Sequence, residues 1–143
     1  MALGTETDTI DGQSYVVELL ASATAANGIP SGASAGISVN QLMNFGKVPD
    51  KIRVGVASTA GSGTMTVTLR VWLYAGGVWF RAKDLNASST APHTAVAIPE
   101  TSTDAIQYSE EVSGVAGAGR IYLEIVAIAG TATAVTGYAI VAR

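Results

Sequence analysis

A chain of 143 residues fits one domain and is long enough to bury a sizeable core. Eight basic and eleven acidic residues leave a net charge of −3 with no basic run or stripe, which argues against nucleic acid as a partner. Cysteine is absent, which excludes disulfides, thiolate metal sites and thiol catalysis, and charged residues make up only 13% against 48% apolar. So little charge implies that part of the surface is covered by copies of the chain or by another protein.

Met1 to Gln13 is polar and acidic, without the basic and apolar regions of a signal peptide, and is expected as a flexible or extended arm (residues 1–13) ordered on binding. A single domain is expected over residues 14–143. Its first strand falls in Ser14 to Ala25, where Tyr15, Val17 and Leu19 alternate with Val16, Glu18 and Leu20. Asn27 to Gly32 carries turn chemistry. Ile37 to Leu42 suits a short strand, and one helical turn is expected around Gln41 to Phe45. Asn44 to Asp50 reads as a loop with Pro49. Lys51 to Ser58 alternates again, with Ile52, Val54 and Val56 on one face and Arg53 and Gly55 on the other. Gly61, Ser62 and Gly63 form a turn.

Thr64 to Arg81 is the most telling stretch. Met65, Val67, Leu69, Val71 and Leu73 make an apolar row, and Gly76-Gly77 supplies a two-residue turn. That turn sets Tyr74 opposite Trp79, Trp72 opposite Arg81 and Leu73 opposite Phe80. The face expected to be wet thus holds Arg70, Trp72, Tyr74, Trp79 and Arg81. These residue types are enriched at binding hot spots. With no carboxylate in register beside them, the two arginines argue for an interface and not for a buried layer. A covering sheet or loop, and a sugar-stacking platform, are the other readings of this face.

Asp84 to His93 reads as a polar loop, Thr94 to Ile98 and Ala105 to Val112 as strands, and Ser113 to Gly119 as a loop. Arg120 to Ile128 and Thr133 to Val141 are expected to pair as a final hairpin around Ala129-Gly130-Thr131. Both faces of that hairpin are nearly free of charge, which suggests a covering neighbour. Its Tyr122 and Tyr138 join the candidate binding residues. No apolar run reaches the length of a membrane span.

Eight or nine short strands with turn signals between them point to an all-β antiparallel sandwich, of jelly-roll type. Catalytic sets are missing. His93 is the only histidine and reads as a surface loop residue, with no partner for acid–base or metal work. Glu110 and Glu111 are adjacent on a strand and point to opposite faces. No calcium-loop pattern, phosphate cradle or nucleophile elbow is present, so neither a cofactor, a metal nor an enzymatic activity is expected.

VPDKIRVGV from Val48, VTLRVWLYAGGVWF from Val67, RIYLEIVAIAG from Arg120 and YAIVAR from Tyr138, with the Gly-Ala-Thr-Val bias, resemble the small jelly-roll virion proteins of tailed bacteriophages over residues 48–143. The resemblance implies a capsid decoration (cement) protein or another head or tail component, assembled in the host cytoplasm and located in the virion. Its partners would be itself, as a homo-oligomer with a trimer expected, and the major capsid or another virion protein. The same stretches resemble galactose-binding-like jelly rolls. The alternative is therefore a carbohydrate-binding module or a host-surface binding component using Trp72 and Trp79.

Overall fold

The structure is a computed structural model. It describes residues 6–8, 14–43, 46–60, 64–85, 96–99, 105–129 and 132–142. Most of the arm expected over residues 1–13, the glycine turn at 61–63, the loop holding His93 and the turn at 130–131 lie outside the described residues.

Ten strand segments are present among the described residues: β1 (Glu6–Asp8), β2 (Ser14–Ala23), β3 (Ile37–Ser38), β4 (Ile52–Ala60), β5 (Thr64–Ala75), β6 (Val78–Leu85), β7 (Val96–Pro99), β8 (Ala105–Val112), β9 (Arg120–Ala129) and β10 (Ala132–Ala142). They form two antiparallel sheets. Sheet I runs β1-β2-β10-β4-β8, and sheet II runs β3-β9-β5-β6 with β7 also pairing on β5. The all-β sandwich expected from the alternating pattern is what the chain forms. The helical turn expected near Gln41 is a 3-10 turn at Val39–Leu42, capped by the Ser38 hydroxyl, which accepts from the Asn40 N–H at 3.2 Å.

The pairing is nested. β2 pairs β10, β3 pairs β9, β4 pairs β8, and β5 pairs both β6 and β7. The first half of the chain thus runs as an antiparallel ribbon with the second half, and the ribbon rolls so that β10 also meets β4 and β9 also meets β5.

This arrangement corrects two expectations. The final hairpin is not a pair: β9 lies in sheet II and β10 in sheet I. Nor is β9 apolar on both faces. Its pairing with β5 slips between Thr68 and Leu69, leaving Val126 as an extra residue. Before that bulge Ile121, Leu123 and Ile125 point inward; after it Ile128 does, packed against the core while Ala127 is exposed. The lack of charge toward Ile128 is therefore a change of phase. A covering subunit is not needed to explain it.

The inward rows are those that alternation selects. Tyr15, Val17 and Leu19 of β2, Ile52, Val54 and Val56 of β4, Leu69, Val71 and Leu73 of β5, and Val135, Ala139 and Val141 of β10 are all buried. Each fully buried Val, Leu or Ile contributes roughly 1.5–3 kcal/mol. At Gly137 the sheets approach so closely that a methyl would overlap the Leu123 side chain. The Tyr15 hydroxyl, deep in the core, reaches the carbonyls of Leu42 (2.9 Å) and Met43 (2.7 Å) and so fixes the end of the 3-10 turn. The hairpin β5–β6 has the expected register through Gly76-Gly77, both at positive φ. Phe80, however, is 57% exposed, on β6 at the edge of sheet II.

Candidate functional site

The outer face of sheet II gathers most of the residues singled out in the sequence. On β5 the even positions Arg70, Trp72 and Tyr74 face outward, opposite the buried odd row. Pairing sets them beside Glu124, Tyr122 and Arg120 of β9, in that order. On the other side Trp79 is level with Tyr74 and Arg81 with Trp72. Tyr74 and Trp79 rings lie 5.0 Å apart at 52°, and Trp79 meets Tyr122 edge-on at 6.1 Å. Arg81 is exposed at the edge. Tyr138 is not part of this group: it lies on sheet I, level with Glu18 of β2 and Gly55 of β4.

One carboxylate organises the β5–β9 side of this face. Glu124 is only 4% exposed. Its Oε1 accepts the Trp72 indole N–H at 2.8 Å and stands 3.8 Å from an Arg70 guanidinium nitrogen. The expectation that Arg70 has no carboxylate in register is thus wrong. Two pairings overturn it: a slip between Val71 and Trp72 brings Asp84 of β6 level with Arg70, and Glu124 comes from β9, far along the chain, which only the fold makes a neighbour. A buried charge needs such partners, and Trp72 and Arg70 provide them.

The other side chains grip a loop. Asn27 to Gly36, which joins β2 to β3, runs against this face. The Arg120 guanidinium donates to the carbonyls of Ser34 (3.0 Å), Ala35 (2.7 Å) and Gly36 (2.8 Å). The Trp79 indole donates to the Gly32 carbonyl at 3.0 Å. The Tyr122 hydroxyl reaches the carbonyl of Gly28 at 2.9 Å, with that of Asn27 at 3.3 Å. Burial raises the Tyr122 phenol above its ordinary value, and the negative charge of Glu124 adds to the effect.

Asn27 completes the clamp. β3 covers only Ile121 and Arg120 of β9, and beyond it Asn27 takes the place of a strand. Its side-chain amide donates to the Leu123 carbonyl (3.0 Å) and accepts from the Ile125 N–H (2.7 Å), while its own N–H donates to the Ile125 carbonyl (3.3 Å). Gly36, at φ +67°, passes so close to Ile121 that a side chain would overlap the carbonyl oxygen there. The result is a loop with no charged residue, anchored along its length, that holds Pro30 buried and presents Ile29 at 65% exposure.

The covering-loop reading of the aromatic face is therefore correct in part: the rings are half-buried under the chain's own loop. Sequence reasoning found Trp72, Trp79 and Tyr122 but not what they hold. In the sequence Asn27 carries turn chemistry alone, and Arg120 and Glu124 are residues of a stretch expected to form the final hairpin. Among the described residues no three His, Asp or Glu side chains gather into a metal-binding group. Glu111 lies 3.9 Å from Lys51 at an exposed edge. No protein family, curated protein or solved structure matches this chain.

Proposed function

We propose that this chain is a non-enzymatic structural protein of a virion, a capsid decoration protein that acts by binding the shell, and that its sandwich is a jelly roll. The nested strand pairing carries the reading. A ribbon of β2 to β5 against β10 to β6, rolled into two sheets, is the order that two interlocked Greek keys require, and capsid proteins are among the main users of that architecture. The anchored loop on sheet II supports it, because a surface ordered before binding loses little entropy when it docks. Many weak contacts of this kind per shell add up to tight retention. Partners would be the shell protein and further copies of the chain.

Lectin-like domains also use jelly rolls, so carbohydrate binding is the competing reading. The geometry favours it less. Both tryptophan N–H groups are already committed, to Glu124 and to Gly32, and neighbouring rings are tilted and not laid out as a flat platform.

The test is co-sedimentation of the purified protein with expanded tailed-phage heads from the same genome, followed by heating. Saturable binding and a higher disruption temperature are expected. Heads that neither bind the protein nor gain heat resistance, with retention on a glycan column instead, would overturn the proposal in favour of the sugar reading.

A further inference from the structure

The chain holds a single Asn-Gly pair, Asn27-Gly28, and the fold places it at the start of the loop over sheet II. Asn27 stands there in place of a strand, and its amide can do so in one orientation only. The nitrogen donates to the Leu123 carbonyl at 3.0 Å, and the oxygen accepts from the Ile125 N–H at 2.7 Å. The Tyr122 hydroxyl ties down the carbonyls of Gly28 (2.9 Å) and Asn27 (3.3 Å). Both residues are otherwise exposed. Gly28 sits at φ +81°, and a Cβ there would meet nothing within 4 Å. Among the described residues no acceptor takes its N–H. A backbone nitrogen with no side chain beside it is the least hindered nucleophile that the preceding side-chain amide can meet.

We propose that Asn27-Gly28 is a modification site, a self-acting deamidation switch that the loop's hydrogen bonds hold shut and whose conversion unlatches the loop. The Gly28 nitrogen attacks the side-chain carbonyl carbon of Asn27. The new C–N bond closes a succinimide ring, the bond from that carbon to the amide nitrogen breaks, and ammonia leaves with the proton shed by the Gly28 N–H. Water then opens the ring at either carbonyl, giving aspartate or isoaspartate at this position; solvent water is the one co-reactant. While docked, the amide cannot turn toward Gly28 without giving up its bonds to Leu123 and Ile125, so the rate follows the fraction of time the loop is open. The product cannot return to the same place. A carboxylate oxygen only accepts, so it would face the Leu123 carbonyl oxygen across the 3.0 Å where an N–H donates. Isoaspartate also lengthens the backbone and breaks the alignment of the Asn27 N–H with the Ile125 carbonyl. The step is thus one-way. It frees Asn27 to Ile29 and uncovers Tyr122, while Arg120 keeps its hold on Ser34 to Gly36.

In the test, folded full-length protein is incubated at neutral pH beside a sample in denaturant. Asn27 is followed by peptide mass spectrometry, with Asn40, which precedes a glutamine, as the internal reference. Asn27 is expected to convert in both samples, about tenfold or more slowly in the folded one, and in both faster than Asn40. Tyr122→Phe, which loses the bonds to the Asn27 and Gly28 carbonyls, should raise the folded rate severalfold. Asn27→Asp should keep its circular dichroism while amide exchange at Gly28 and Ile29 rises about tenfold or more, and that at Ala35 and Gly36 rises less. The deamidated fraction of the wild type, separated by ion exchange on its added charge, supplies the same measurement if the variant folds poorly. Equal rates in folded and denatured samples, or a folded rate unmoved by Tyr122→Phe, overturn the latch. A folded protein that converts no faster at Asn27 than at Asn40 overturns the site. Unchanged exchange in the acidic forms overturns the release of the loop.

Discussion

Single side chains on the outer face of sheet II act through one proton or one charge. Tyr122 is held neutral, its phenol above the ordinary value through burial and the nearby Glu124 charge. A phenol raised on folding leaves stability unchanged below its unfolded value near 10. Stability then falls as pH rises toward the folded value, because the unfolded chain ionises first. Unfolding measured between pH 9 and 12 should show that loss in the wild type, and the Tyr122→Phe protein should lack this component. Glu124 makes the complementary case. Trp72→Phe keeps an aromatic ring but removes the N–H, leaving a 4% exposed carboxylate with Arg70 as its remaining described partner. The expected cost is about 1–3 kcal/mol in denaturant melts. An unchanged midpoint would show that the indole contributes area alone.

At the scale of elements, a bulge and a clamp decide what the strands present. The extra residue Val126 turns the phase of β9, so that the first part of its outer row is polar and its last residue is core. Arg120 then reaches from that polar row to three carbonyls of the loop over Asn27 to Gly36. Arg120→Ala should cost about 2 kcal/mol, since charged donors are lost at a half-buried site. Amide exchange of residues 28–36 should rise far more than that of β4 or β10, whose hydrogen bonds do not depend on the clamp. Uniform acceleration across both sheets would show that Arg120 serves the whole fold. The expected hairpin of β5 and β6 was legible because its turn lies between its strands. The same logic misled for β9 and β10, strands adjacent in sequence that lie in different sheets.

For the whole molecule the decisive distance is that between the sheets. Gly137 of sheet I faces Leu123 of sheet II with no room for a methyl. Gly137→Ala should therefore destabilise by about 1–3 kcal/mol through overpacking, read as a lower melting temperature with the fold retained by circular dichroism. Light scattering at micromolar concentration should give a mass above 14.5 kDa, with a trimer expected. Thermal melts with calcium, zinc or chelator should coincide; a large rise with one metal would reveal a binding site.

The sequence by itself determined the class of fold and the inner rows. Alternation in Tyr15 to Leu19, Ile52 to Val56 and Leu69 to Leu73 is a local property, fixed by the two-residue period of an extended chain. The aromatic face and the register of Tyr74 with Trp79 follow from the same period and one glycine turn. Only the tertiary structure decided that Glu124 stands beside Arg70 and Trp72, that Asn27 takes the place of a strand along β9, and that the loop to Gly36 covers the rings. Those contacts join residues 47 to 98 positions apart. No local period encodes which strand lies next to which. Strand order comes from how the ribbon rolls to bury both inner rows at once, and the partners of the outer face follow from that.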